Sequence, residues 1–414
     1  RLELGTGARW AAAMSGVLTI FTGDDFADVG GNPAGWAIVS RDGEPMKEPK
    51  RPVLAHGKVR HVGDAYAVVI AETRAQAMDA VAAIAAAIEE LPEVINMSEA
   101  VKGGSLVHEE IETNVCFDWG WIEDNRAATD AAIKAAPHVT TLELVNNRLV
   151  PNAMEPRAST ADYNKGTGEY TLYTTSQNPH LTRLLISAFV LGIPENKLRV
   201  IAPDVGGGFG SKIYHYGEEA LVLAASKKLK RPVRWTASRS ESFLTDAHGR
   251  DHVTKIELAC EKDGTFIAFR TETMANVGAY LSNFSTVTPT FLHGTLMAGN
   301  YTVPNVYVNV KAVFTNTVPV DAYRGSGRPE ATYSIELVID MTARELGMDP
   351  VELRRMNFVK PDQYPFASAA GLEYDSGNYD RQMDKLEAMI DRDGFEARHI
   401  ESAKNGKLRG LGLN

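Results

Sequence analysis

The segment Pro203-Asp204-Val205-Gly206-Gly207-Gly208-Phe209-Gly210-Ser211-Lys212 constrains this chain more than any other. Four glycines fall within five residues. They lie between a run that reads as a strand, Lys197 to Pro203, and a run that reads as a helix, Tyr214 to Lys228. Glycine tolerates positive φ, so the loop can turn sharply and bring backbone N–H groups close to an anion. A helix N-terminus behind it favours the same charge. Ser211 stands where a GxGxxG fingerprint needs its last glycine, and the spacing is not that of a Walker A loop. The same composition suits a tight turn with no ligand, or a domain that uses residues 206–212 alone to hold a nucleotide or phosphate.

Two further segments join a strand to a helix. In Thr174-Thr175-Ser176-Gln177-Asn178-Pro179-His180, Asn178 is an N-cap type followed by Pro at the first helical position. Gln177 before it can offer a side-chain amide to a ligand oxygen, or can simply face solvent. In Val320-Asp321-Ala322-Tyr323-Arg324-Gly325-Ser326-Gly327-Arg328-Pro329-Glu330, the small residues 325–327 allow close backbone approach. Arg324 supplies a planar fork of donors for anionic or oxo groups, or caps carbonyls structurally. His248 and His252 lie four apart but fit no zinc template, and no metal-ligating set is named. Glu155 is expected to pair with Arg157. No Ser–His–Asp or Cys–His set is present.

The rest of the chain alternates hairpins with strand–helix units, which predicts an α+β fold. Asp64 to Ala71 reads as a buried strand, Ala75 to Glu89 as an alanine-rich helix ended by Leu91-Pro92, and 94–125 as irregular with short strands. Strands are expected at 140–150, 233–238 and 307–315. Hairpins are expected around Asn164-Lys165-Gly166 and, most clearly, Lys262-Asp263-Gly264. The Asn178-Pro179 helix should reach about Leu191, and a helix over 329–345 should stop at Gly347. Two units follow, 1–125 and 138–414.

Composition narrows the function classes. A net charge of −10 with no basic stripe argues against nucleic acid, and the basic run Lys227 to Arg234 suits a helix C-terminus. No apolar run approaches the roughly 18–20 residues of a membrane span. Two cysteines, Cys116 and Cys260, indicate a reducing, cytoplasmic setting and cannot hold an iron–sulfur cluster; both are read as buried. The chain opens on Arg1-Leu2-Glu3 and closes on Arg409 to Asn414, which reads like an incoming strand, so a fragment cut at both ends is expected.

Taken in order, the three junctions resemble the large, molybdopterin-binding subunit of the xanthine dehydrogenase, aldehyde oxidase and aerobic carbon monoxide dehydrogenase family. Lys58 to Asp64 through Glu89 to Pro92 is similar to that family's N-terminal α/β hammerhead-type domain. Residues from about 138 onward are similar to its first molybdopterin-binding domain. Gly278-Ala279-Tyr280, Gly299-Asn300-Tyr301 and Asp349 to Phe358 also fit. The resemblance implies that Gln177 hydrogen-bonds a molybdenum oxo ligand and that Gly207, Gly208, Phe209 and Gly210 contact the cofactor. It implies that Arg324, Gly325 and Ser326 line the site, with Gln177 and Arg324 acting in catalysis. It further implies a molybdenum–molybdopterin cofactor in its cytosine dinucleotide form. A small iron–sulfur subunit and a medium FAD subunit would carry the electrons away, in a dimer of heterotrimers acting on a small molecule with water as oxygen source.

The Ala322-Tyr323-Arg324-Gly325-Ser326-Gly327-Arg328 loop resembles the family's second form. Copper-bearing carbon monoxide dehydrogenases have Cys at the position of Gly325, so oxidation of carbon monoxide is not expected, although it stays an alternative. Ser326 cannot stack on a purine, and Ile213 replaces a carboxylate of xanthine-type enzymes. The family's general base is a Glu in a second cofactor-binding domain, expected beyond Asn414, so these residues alone are expected to be inactive. A non-catalytic scaffold subunit remains the rival reading.

Overall fold

A computed structural model describes residues 2–4, 7–27 and 29–412. Its largest element is a five-stranded sheet in the order Val115–Trp121, Asn305–Phe314, Phe266–Gly278, His252–Cys260, His138–Asn146. All neighbours are antiparallel except Phe266–Gly278 and Asn305–Phe314, which run parallel. The hairpin expected at Lys262-Asp263-Gly264 forms, with Gly264 at φ +94° where a side chain would be strained. Strand residues such as Ile256, Leu258, Phe269, Val308 and Phe314 are fully buried. Each such side chain contributes about 1.5–3 kcal/mol through the apolar area it removes from water. The helix Arg328–Leu346 packs against strands His138–Asn146 and His252–Cys260. It ends at Gly347, whose φ of +67° is the left-handed cap expected there.

A second sheet has four strands in the order Val233–Thr236, Ala158–Asn164, Glu169–Thr174, Leu198–Ile201. The last pair is parallel, so a crossover must join them. That crossover is the helix Pro179–Leu185, which continues as a π-helix over Ile186–Leu191. Asn178 Oδ1 accepts from the Leu181 N–H at 3.2 Å and caps it. The helix Gly217–Leu229 covers this sheet. Its residues from Glu219 to Ser226 are all buried, because the sheet lies on one side and Phe21, Phe26, Val53 and Leu54 of the N-terminal part join the same core.

Two expectations are corrected. The helix expected over 75–89 ends at Ala83, and Ala86–Ile88 pairs instead with Leu2–Leu4. Alanine propensity, worth only tenths of a kcal/mol per residue, yields there to a tertiary hydrogen-bonding partner. Val115–Trp121 pairs with Asn305–Phe314 in the large sheet, and a helix, Arg126–Ala135, follows it directly. The strand expected at the C-terminus does not form over 409–412, and Leu413 and Asn414 lie outside the described residues. Ala67–Ala71 forms as expected but is half-buried, because among the described residues its one strand partner is Val17–Thr22.

Candidate functional site

The three junctions meet at one place. The glycine loop follows the strand Leu198–Ile201, with Gly207 at φ +96°, Phe209 at +54° and Gly210 at +107°. Gln177 leaves the neighbouring strand Glu169–Thr174 and lays its side chain across the loop. Its Oε1 accepts from the Gly210 N–H at 3.0 Å and the Lys212 N–H at 3.2 Å, while its own N–H donates to Lys212 O at 2.7 Å. The approach is so close that a Cβ on Gly208 would lie 2.2 Å from Gln177 Oε1. The third junction docks on the other side. The Arg324 N–H donates to Phe209 O at 2.8 Å, and a Cβ on Gly210 would lie 2.4 Å from Ala322 O. At 210 the contact is with backbone at positive φ, so glycine is required there, whereas a side chain at 208 would displace the Gln177 amide.

Several donors stay unspent in this arrangement. Gln177 Oε1 is occupied by backbone amides, which turns its Nε2 outward with no acceptor among the described residues. The N–H groups of Gly208 and Phe209 likewise have none. The exposed Arg324 guanidinium makes no hydrogen bond or ion pair among the described residues. Gly325, Ser326 and Gly327 all have positive φ, at +97°, +46° and +82°, so the loop bends tightly beside Arg324. The unspent amide N–H groups, one carboxamide NH2 and a guanidinium are all donors, which suits an oxygen-rich anionic ligand.

Buried charges brace the loops from behind. Lys212 is 2% exposed, and its Nζ reaches Glu155 O at 2.8 Å and Glu155 Oε2 at 2.9 Å. The same Oε2 accepts from the Gly206 N–H at 2.8 Å. Glu155 therefore pairs with Lys212, not with Arg157 as expected. Arg157 instead donates to Asp246 at 2.6 Å and to both oxygens of Glu218 at 3.1 Å. Burial pushes the Glu218 carboxyl up, but the Arg157 guanidinium outweighs it and holds Glu218 below its ordinary value. The Arg157 guanidinium also lies 3.6 Å from the Tyr216 ring centre, and Tyr216 donates to Ser211 O. Asp321, buried below the third junction, is pushed up to about 6 by burial, against donations from Ser282 and the N–H groups of Phe284 and Ala322.

His248 and His252 have separate partners. His248 bonds Phe243 O and Arg148, and His252 packs edge-on against His293; no metal-holding group of three or more His, Cys, Asp or Glu exists among the described residues. Cys116 and Cys260 are buried and free. Burial raises both thiols, Cys260 to about 11, which leaves neither as a thiolate.

A family model of the molybdopterin cofactor-binding domain matches residues 107–358. The chain belongs to the molybdopterin-binding large subunits of the xanthine dehydrogenase and aldehyde oxidase family. In this large-subunit chain, residues 6–92 match the a/b hammerhead domain of aldehyde oxidase and xanthine dehydrogenase. The carbon monoxide dehydrogenase large chain of Hydrogenophaga pseudoflava is 35% identical over 382 residues, covering 87% of this chain and 47% of that one. The nicotine 6-hydroxylase large subunit of Paenarthrobacter nicotinovorans is 33% identical over 376 residues, covering 88% and 44%. Quinoline 2-oxidoreductase from Pseudomonas putida 86 superposes with a TM-score of 0.89 at 31% identity, covering 98% of this chain and 50% of that structure. The large-subunit chain thus spans about half the length of the relatives it matches. No helix among its described residues is long and apolar enough to cross a membrane.

Of the residues singled out from sequence, Gln177, Gly207, Gly208, Phe209, Gly210, Arg324, Gly325 and Ser326 all lie at or beside the meeting point. Lys212 and Glu330 stand at the ends of two of the junction segments, and Arg250 lies between His248 and His252, but only packing shows that these three charges are buried.

Proposed function

We propose that this chain forms one wall of the molybdenum-cofactor site of a hydroxylase acting on a small carbonyl, heterocyclic or related substrate, with water as oxygen source. The observation that carries the reading is that the three junctions are joined by contacts at Gln177, Gly210 and Arg324, while Gln177 Nε2, the Gly208 and Phe209 N–H groups and the Arg324 guanidinium have no acceptor among the described residues. Gln177, the 207–210 loop and the 324–326 loop would hold the cofactor. When bound, that cofactor supplies the two-electron redox chemistry of hydroxylation. The protein's part is orientation and field. Gln177 Nε2 is set by its bound Oε1, and Arg324 carries a permanent positive charge on the loop docked against the glycine-loop amides, both suited to stabilising developing negative charge. The proposal includes the cytosine dinucleotide form of the cofactor, a cytoplasmic setting, and iron–sulfur and FAD partner subunits as the electron route in a dimer of heterotrimers.

Gly325 disfavours the copper-dependent reading. Its φ is +97°, and a Cβ there would lie 2.4 Å from Pro329 Cγ. A cysteine cannot occupy this loop without moving it, and no other soft thiolate is exposed nearby to hold Cu(I).

Metal analysis of the full-length complex tests the reading: molybdenum near one per large subunit is expected, and none above background would sink it. Gln177→Ala and Arg324→Ala should each lower turnover by roughly 10–1000-fold, the range for removing a preorganised donor. Unchanged turnover in both would favour a scaffold role.

A further inference from the structure

The loop that carries Arg324 has three successive residues at positive φ, a backbone shape that glycines permit but do not enforce. Something else must hold it. Arg250, 7% exposed, does so from beneath. Its Nη1 donates to Tyr323 O at 3.1 Å and its Nη2 to Arg324 O at 2.8 Å. The same Nη1 reaches Glu330 Oε1 at 3.2 Å. Glu330 is 1% exposed and lies in the first turn of the helix that begins just after the loop. One guanidinium therefore binds the two carbonyls at the start of the loop and the carboxylate at its end. It spans residues 323 to 330 as a staple. Among the described residues Arg250 is the sole ionic partner of Glu330, whose Oε2 has no protein partner.

Arg250 is itself over-determined. Its guanidinium lies 4.9 Å from the Tyr323 ring centre. Arg250 and Asp251 both have left-handed backbone, at φ +66° and +69°, a conformation that persists in non-glycine residues only when the surroundings impose it. Asp251 Oδ2 supplies that restraint by accepting from Arg148 Nε at 2.8 Å and Asn276 Nδ2 at 3.0 Å. The planar five-donor fork of Arg, not charge alone, allows three acceptors to be bound at once.

We propose that Arg250 and Glu330 are positioning residues that hold the backbone of the 323–328 loop, and with it the point from which Arg324 extends at the candidate site. This rests on the function proposed above. The test uses the full-length complex carrying Arg250→Lys or Glu330→Gln. In the cofactor-free protein, hydrogen exchange of the amides of residues 323–328 should speed up by about tenfold in either variant while the sheet strands keep their protection, because only the local brace is lost. In the loaded enzyme, kcat/KM should fall by about 10–100-fold, the usual cost of removing a supporting partner. That fall should largely vanish when Arg250→Lys is made in an Arg324→Ala background, since a residue acting through Arg324 has nothing left to position. Wild-type exchange at 323–328, or a full additional loss in the Arg324→Ala background, overturns the proposal. Should Glu330→Gln fail to fold, Arg250→Lys keeps the charge and carries the test. Because exchange is read without cofactor, a lack of molybdenum in the complex would count against the proposed function and leave the staple to be judged on exchange.

Discussion

Gly210 and Gly347 both sit at positive φ, yet they answer to different constraints. Nothing lies within 4 Å of a Cβ on Gly347, whereas a Cβ on Gly210 would meet Ala322 O at 2.4 Å. Gly347→Ala should therefore cost about 1 kcal/mol, the backbone term alone. Gly210→Ala should cost more than that, and should break the Phe209 O to Arg324 N–H bond that joins two loops. Denaturation midpoints of the two variants, with molybdenum content per chain, check this. Equal midpoints and equal molybdenum would mean that the close approach is unimportant. At this scale the site residues were legible where local chemistry marks them: an amide before an N-cap, a glycine cluster, an Arg before small residues. Lys212, Arg250 and Glu330 were not, because whether a charge is buried and paired depends on segments far away in sequence.

The elements that position the site are braced by ion pairs, and the Lys212–Glu155 pair is the one that holds the glycine loop. Lys212→Met keeps the aliphatic stem but removes the ammonium. Glu155 is partly exposed, so the expected loss of stability is modest, about 1–2 kcal/mol. The larger effect should be a looser 206–210 loop, read as reduced molybdenum retention on dialysis of the complex. Retention equal to wild type would show that the Gln177 contacts suffice. Long periodic elements were legible: Arg328–Leu346, the 252–278 hairpin and Gly217–Leu229 lie within a few residues of expectation. The errors fall where propensity and partner disagree. Ala86–Ile88 is alanine-rich yet extended, and Val115–Trp121 lacks clean alternation because, with residues such as Cys116 and Phe117 buried next to each other, it is covered on more than one side.

Across the whole molecule, buried titratable groups set an acid limit. Burial pushes His215, His252 and His293 down to about 4. Their folded values lie below the unfolded value of about 6.5, so they favour folding above that pH and lose the contribution as pH falls toward 4. Burial pushes Glu219 up to about 7 and Asp321 up to about 6. These two act oppositely, favouring the folded state in acid and losing that contribution as pH rises through 6 to 7. Between pH 7.5 and pH 5 the imidazoles and the carboxylates act in opposite directions, and burial also lowers His61, His108 and His248, which adds to the loss on the acid side. The full-length chain should melt several degrees lower at pH 5 than at pH 7.5, and His215→Gln, uncharged throughout, should narrow the gap. A Tm that holds or rises at pH 5 would contradict this balance. Turn chemistry, helix caps and apolar periodicity were readable along the chain because they act between residues a few positions apart, and with them came the α+β class and the three junctions. Which strands pair, that Val115–Trp121 joins the large sheet, and that three junctions far apart in sequence meet with their donors unspent, were set by tertiary packing. Backbone hydrogen-bonding groups are the same at every strand edge, so partner choice rests on the sum of long-range burial, which no local pattern records.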